Sequence, residues 1–167
     1  FREMGVDAIT VSSVRMAQFF AGQGWDDITI AFPANIREID TINELAGSIE
    51  RLSLFVLDFD TAKKLDQRLT GEVNIYIEID TGAGRSGFLP DDIDDISSLA
   101  EFIQHSERMV FAGFYSHPGH SYNARSEAQL QDIHADVLAQ MNTLKSEFTG
   151  ARCCIGDTPC CSVADDF

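Results

Sequence analysis

From residue 73 to residue 79 every second position is apolar and β-branched: Val73, Ile75, Ile77 and Ile79. That period of two predicts a buried strand over 73–80. The strand ends in a polar, glycine-rich corner, Asp80-Thr81-Gly82-Ala83-Gly84-Arg85-Ser86-Gly87. Glycines there let the backbone take positive φ or pass close to a ligand. The rest of the chain repeats this plan of strand, corner and helix. Short apolar runs predict further strands over 8–11, 28–32, 52–57, 109–116 and 152–155. Between them apolar residues recur at helical spacing. Ser12 or Ser13 caps a helix over 14–22, Ile36, Ile39, Ile42 and Leu45 mark one over 36–50, and Asp60 caps one over 61–69. Pro90 and the acidic cluster Asp91, Asp92, Asp94 and Asp95 precede a helix through Leu99, Phe102 and Ile103. Acidic residues in a first turn suit a helix N-terminus, which explains the cluster better than a metal site does. A long helix over 126–148 carries Leu130, Ile133, Val137, Leu138, Met141 and Leu144 on one face, with His134 as a surface or boundary residue. Residues 1–7 look like the end of a helix capped by Gly5.

Strands alternate with helices throughout, and no link reads as a hairpin. This is an α/β pattern, a parallel sheet with right-handed crossovers. Six successive units predict an incomplete (β/α)8 barrel of the TIM type. A doubly wound open sheet is the alternative, but no Gly-x-Gly-x-x-Gly corner follows the first strand. Phe1 is not a natural start. The expectation is therefore a fragment, with residues 1–167 forming a partial barrel domain of a longer protein.

Composition narrows the partners. The 167 residues are 44% hydrophobic and 10% aromatic, as in ordinary globular chains. A net charge of −15 argues against nucleic acid or an anionic membrane, which need basic patches. It leaves room for a small phosphorylated ligand held by a few local donors. No apolar run is long enough to span a bilayer. The adjacent pairs Cys153-Cys154 and Cys160-Cys161 are not a disulfide framework, so a reducing, cytoplasmic setting is expected.

In a barrel the ligand site lies at the C-terminal ends of the strands, and three corners there are unusually polar. In the first, Arg85 offers a rigid fork of donors for a phenolate, a carboxylate or a phosphate, with Asp80 placed to orient it. A structural Asp–Arg pair is the other reading. In the second, Ser116-His117-Pro118-Gly119-His120-Ser121-Tyr122, the histidines can stack on a heteroaromatic ligand or shuttle protons. A zinc site from His117, His120 and the cysteines matches no closed structural spacing. In the third, Ile155-Gly156-Asp157-Thr158-Pro159, backbone N–H groups can cup a phosphate and Thr158 adds a hydroxyl. Asp157 would repel phosphate unless its side chain turns away, and a plain turn also fits these residues. The cysteines around this corner read as small core residues.

The three corners, in this order and each after a strand, resemble the fold-type III pyridoxal phosphate enzymes. The likeness is greatest to the D-threonine aldolase and D-serine dehydratase group within the alanine racemase-like barrels. The stretches Gly5-Val6-Asp7-Ala8-Ile9-Thr10-Val11 and Ile28-Thr29-Ile30-Ala31-Phe32-Pro33 fit the second and third barrel strands of that family. The resemblance implies pyridoxal 5'-phosphate as cofactor. Arg85 would lie near its phenolic oxygen, His117 and Tyr122 against or beside its ring, and Gly156, Asp157 and Thr158 in its phosphate cup. It implies a Schiff-base reaction on a D-amino acid, as aldolase or lyase, dehydratase or racemase, in a homodimer. The family's Schiff-base lysine belongs to a first strand that would lie upstream of Phe1, and Lys63, Lys64 and Lys145 fall on predicted helices. No catalytic residue and no metal ligand is therefore assigned within this chain. A second, mostly β domain beyond Phe167 would supply any divalent-metal ligands, and the fragment alone is expected to be inactive. Two other functions are carried forward. One is a non-catalytic pyridoxal phosphate-binding barrel; the other is a metal-dependent barrel hydrolase using His117, His120 and Asp80.

Overall fold

The computed structural model describes residues 1–164; residues 165–167, the end of the expected 1–167 barrel segment, lie outside the described residues. Strands and helices alternate as β1 (Ala8–Val11), α1 (Val14–Ala21), β2 (Asp27–Pro33), α2 (Ile39–Ala46), β3 (Arg51–Val56), α3 (Phe59–Arg68), β4 (Val73–Glu78), α4 (Ile93–Gln104), β5 (Met109–Ser116), α5 (Glu127–Glu147), β6 (Arg152–Ile155) and α6 (Thr158–Cys161). The strands neighbour one another in chain order, β1 to β6. The pairs β1/β2, β2/β3 and β5/β6 are parallel. A doubly wound sheet reverses its order at a switch point. Here there is no reversal, and the six βα units follow the progression of a partial TIM-type barrel. Among the described residues no helix is long and apolar enough to cross a membrane.

The chain divides into two compact units, Phe1–Tyr76 with Ser97–Phe111, and Ile77–Ile96 with the chain from Ala112 on. The core of the first is built from the strand residues Ile28, Ile30, Leu52, Leu54 and Val56 and the helix residues Ile39, Ile42, Leu45, Ala62 and Leu65, all nearly free of solvent. Two helix boundaries differ from the sequence expectation. The cap of α3 is Asp58, not Asp60: its Oδ1 accepts from the Thr61 N–H at 2.7 Å. Asp60 sits one turn from Lys64 and pairs with it on the surface. The geometry decides this, because a cap side chain serves the N–H three residues on, and Asp58 reaches that of Thr61. Asp58→Ala is therefore expected to lower stability by about 1 kcal/mol and Asp60→Ala by much less, read as shifts in the urea midpoint. The second helix is also shorter than 36–50. It begins as a 3-10 turn, Ile36–Glu38, and stops at Ala46 with Gly47 as its cap. The turn that follows delivers the chain to β3 at Arg51.

The second unit holds the end of β4, most of β5, and β6, α5 and α6. Ile77, Ile79, Phe114, Val137, Met141 and Leu144 fill its core, and the rings of Phe114 and Phe148 meet edge-on at 5.0 Å. His134 is not a surface residue: it is buried, at 7% exposure. It lies three residues before Val137 and so shares the helix face that carries Val137, Met141 and Leu144.

Candidate functional site

The three polar corners all belong to the second unit, so their geometry is internal to one compact body. The β4 ladder ends at Glu78, and Ile79 makes a single parallel bridge to Phe88. The Asp80 N–H donates to the Phe88 carbonyl at 2.8 Å, and the Phe88 N–H donates to the Glu78 carbonyl at 3.0 Å. Residues 80–87 are thus a loop pinched at its base. Gly87 sits at the pinch with φ +108°, and a Cβ there would lie 2.8 Å from the Glu78 carbonyl oxygen. Only glycine fits.

Asp80 does not orient Arg85. Its Oδ1 accepts from the N–H groups of Gly82, at 3.0 Å, and Gly84, at 3.1 Å. A short carboxylate at the start of a loop captures the amides just downstream. The partner of Arg85 is Glu78, one pleat earlier. Its Oε1 accepts from Arg85 Nη2 at 3.3 Å and from Ser86 Oγ at 3.0 Å. Glu78 is 3% exposed and the Arg85 side chain 52%. The second oxygen of Glu78, Oε2, is buried without a hydrogen-bond partner among the described residues. Sequence reasoning passed over Glu78. The available signal was an acid inside an otherwise apolar strand, which has to be paired.

The β5 corner is tied to both of its neighbours. Ser116 Oγ and Thr81 Oγ1 share a buried hydrogen bond of 2.7 Å. His117 Nδ1 donates to the Gly156 carbonyl at 2.6 Å, so the neutral ring presents Nε2 as an acceptor. Tyr122 is 55% exposed, and its ring lies 6.3 Å from that of His117 between centroids. His120 packs its imidazole on Gly82, where a Cβ would come within 3.2 Å of Cε1. Ser121 Oγ donates to Asp157 Oδ2 at 2.6 Å.

At the β6 corner the Gly156 N–H donates to the Ser116 carbonyl at 3.1 Å. That amide is committed to the sheet and not offered to a ligand. What Gly156 contributes is space: a Cβ there would lie 2.7 Å from the Tyr115 hydroxyl oxygen. Asp157 caps α6, its Oδ2 accepting from the Cys160 N–H at 3.0 Å. Its side chain is turned into the protein and is 6% exposed. Thr158, the first residue of α6, is exposed. The structure therefore brings His117, Tyr122, Gly156 and Asp157 together around the β5 and β6 exits. Arg85 stands at the β4 exit, held by Glu78.

Tyr115 also went unnoticed in the sequence. Its phenol is pushed up to about 12, first by burial and then by the negative charge of Glu78. The unfolded chain loses this proton near pH 10.0. Below that pH the group's contribution to stability is fully present and independent of pH; above it, stability falls as pH rises towards about 12. Tyr115→Phe is expected to remove that alkaline decline, measured as the urea midpoint against pH. Burial and the Asp157 carboxylate push the Cys160 thiol up to about 12, and burial raises Cys153. Neither is a thiolate nucleophile at neutral pH. All four cysteines are free thiols. Among the described residues no group of three or more His, Cys, Asp or Glu side chains could hold a metal ion, so the hydrolase alternative has no ligand set there. Lys63 and Lys64 lie on α3 and Lys145 on α5.

Residues 2–161 match the family model of the alanine racemase N-terminal domain. D-serine dehydratase of Dictyostelium discoideum is 27% identical over 92% of this chain and 42% of its own length. D-serine dehydratase of Saccharomyces cerevisiae is 26% identical over 71% of this chain and 29% of its own. Among solved structures, D-threo-3-hydroxyaspartate dehydratase from Delftia sp. HT23 is 26% identical, with a TM-score of 0.84 over 98% of this chain and 45% of that one. D-threonine aldolase from Filomicrobium marinum, 19% identical, shares the fold with a TM-score of 0.79 over 91% of this chain and 42% of its own. The chain thus spans less than half the length of these relatives. It belongs to the alanine racemase N-terminal domain family, the barrel of the fold-type III pyridoxal phosphate enzymes.

Proposed function

We propose that this chain is the barrel portion of a pyridoxal 5'-phosphate-dependent enzyme that acts on a D-amino acid, as a lyase, dehydratase or racemase. The observation that carries the reading is the convergence of His117, Tyr122, Gly156 and Asp157 in one compact unit that also holds the Glu78-anchored Arg85. The residues fit a phosphorylated heteroaromatic cofactor. Gly156 lets the Tyr115 phenol pack directly on the corner, where a Cβ would lie 2.7 Å from its hydroxyl oxygen. The Asp157 carboxylate, the one repulsive group at that corner, is turned inward. At the start of α6 Pro159 has no N–H, and Asp157 accepts those of Cys160 and Cys161, which leaves the Thr158 N–H for a ligand.

In this reading the Asp157 and Thr158 amides and the Thr158 hydroxyl hold the phosphate, with Gly156 at the base of the cup. Arg85 holds the phenolic oxygen, and its half-exposed guanidinium keeps donors for it beside the bond to Glu78. His117 and Tyr122 flank the ring. When bound, the cofactor supplies an electron sink for bond breaking at the substrate Cα. His117, with Nδ1 fixed on the Gly156 carbonyl, presents Nε2 as the atom able to hold a proton in transit. In this reading the covalent lysine is the one the family resemblance puts on a first strand upstream of Phe1; Lys63, Lys64 and Lys145 sit on helices.

The test uses the protein at its natural length. It is incubated with pyridoxal phosphate, reduced with borohydride and mapped by peptide mass spectrometry, then assayed with D-serine and D-threonine. One tagged lysine outside the present chain, with turnover of a D-amino acid, is the expected result. A tagged lysine without turnover would leave a cofactor-binding barrel that is not an enzyme. No tagged lysine would sink the reading.

A further inference from the structure

We propose that Asp157 is a positioning residue. Through Ser121 it clasps the segment after β5 onto the corner after β6, and so sets His117 and Tyr122 in place before any ligand arrives. The purpose given to the clasp rests on the reading of these corners as a cofactor site. Its existence rests on geometry alone.

Capping α6 requires only an acceptor for the Cys160 N–H, and serine, threonine or asparagine would serve as well. Asp157 does more. The oxygen that caps the helix also accepts the Ser121 hydroxyl at 2.6 Å, from a residue 36 positions away in sequence. Ser121 is 1% exposed and Asp157 6%, so the bond is a buried, charge-assisted one. Burying this carboxylate is unfavourable. Its other oxygen, Oδ1, has no hydrogen-bond partner among the described residues. A negative charge beside a phosphate cup is unfavourable too. Against these two costs the capping oxygen makes a second, long-range bond, the hold on Ser121.

The backbone of the segment it holds is tied only locally. Residues 119–123 form a 3-10 turn whose backbone bonds are short-range: Ser121 N–H to the Pro118 carbonyl, and Ala124 N–H to the Ser121 carbonyl. Ser121 adds a long-range tie. His117, on one side of it, is fixed to the Gly156 carbonyl next to Asp157. Tyr122, on the other, is the next residue in the chain and stands exposed. With Ser121 released, the turn keeps its local bonds but loses its register on β6.

Hydrogen–deuterium exchange of the cofactor-free protein at natural length tests the clasp directly. Ser121→Ala and Asp157→Ala should speed exchange in a peptide over 117–124 by on the order of tenfold and leave a β5 peptide unchanged. Asp157→Asn should exchange like wild type, because the amide oxygen can still accept both bonds. A purely electrostatic role would not show that rescue. Fluorescence titration with pyridoxal phosphate should show Ser121→Ala binding about tenfold more weakly than wild type. The clasp is overturned if Ser121→Ala leaves exchange over 117–124 unchanged, or if Asp157→Asn is as loose as Asp157→Ala. If wild type itself binds no pyridoxal phosphate, the proposed function fails, while the exchange result still decides the clasp.

Discussion

Gly113→Ala should destabilise the second unit by about 3 kcal/mol or more, enough to unfold a marginal domain. Gly113 lies within β5 opposite Arg152 of β6. It has φ +140°, and a Cβ there would lie 2.0 Å from the Arg152 carbonyl oxygen and 2.5 Å from its nitrogen. These are backbone atoms of a neighbouring strand, so no rotamer change relieves the overlap. Either the β5/β6 pairing opens or β5 changes its twist. Both disturb Ser116 and Ile155, the paired residues at the top of the two strands, from which two of the polar corners spring. Gly150→Ala is the control. Gly150 also has positive φ, +88°, but nothing lies within 4 Å of its ideal Cβ. It should show only the backbone penalty of about 1 kcal/mol. Urea unfolding followed by circular dichroism separates the two. Equal midpoints for the variants would mean that the close approach at Gly113 is relieved at little cost.

Gly113 also shows where sequence reading stops. The period-two pattern and the spacing of caps made all six strands and their alternation with helices legible, because burial dictates those patterns one segment at a time. Pairings between segments leave no such trace. Nothing in Phe111-Ala112-Gly113-Phe114 says that Arg152 passes within van der Waals distance. Ser121 and Asp157 are 36 residues apart, and Thr81 and Ser116 are 35 apart. Each pair becomes visible only when neighbouring strands bring their corners together. The expectation that Asp80 orients Arg85 fails for a related reason. Proximity in sequence favoured Asp80, but the loop's own amides had a prior claim on its carboxylate. The misplaced cap at Asp60 and the misplaced His134 are smaller failures, a shift of two residues along a helix start and a polar residue on an apolar face. That polar corners follow β4, β5 and β6 was legible, because glycine and polar residues group directly after each apolar run.

The other large effect concerns Arg85. Arg85→Ala is expected to weaken pyridoxal phosphate binding by on the order of a hundredfold, while the protein loses about 1–2 kcal/mol of stability. The two numbers have different origins. Stability suffers because Glu78, 3% exposed, keeps the Ser86 hydroxyl but loses its counter-ion. Removing one partner from a fully buried pair would cost more, but the Arg85 side chain is 52% exposed and water partly replaces it. Affinity suffers because the guanidinium is the cation this reading gives to the phenolic oxygen. Arg85→Lys separates the two effects. A lysine ammonium can still neutralise Glu78, so most of the stability should return. It cannot serve a carboxylate and a ligand oxygen at once with a rigid fork, so most of the affinity should not. Glu78→Gln tests the other half of the pair. It keeps an acceptor for Ser86 but releases the charge that aims Arg85, and should weaken binding by about tenfold, less than loss of the arginine itself. The double variant should then fall short of the sum of the two single losses, since both act through one guanidinium. Absorbance titration gives the affinities and urea midpoints the stabilities. If Arg85→Ala binds pyridoxal phosphate as wild type does, the Glu78–Arg85 pair only stiffens a loop, and the β4 corner has no part in holding a cofactor.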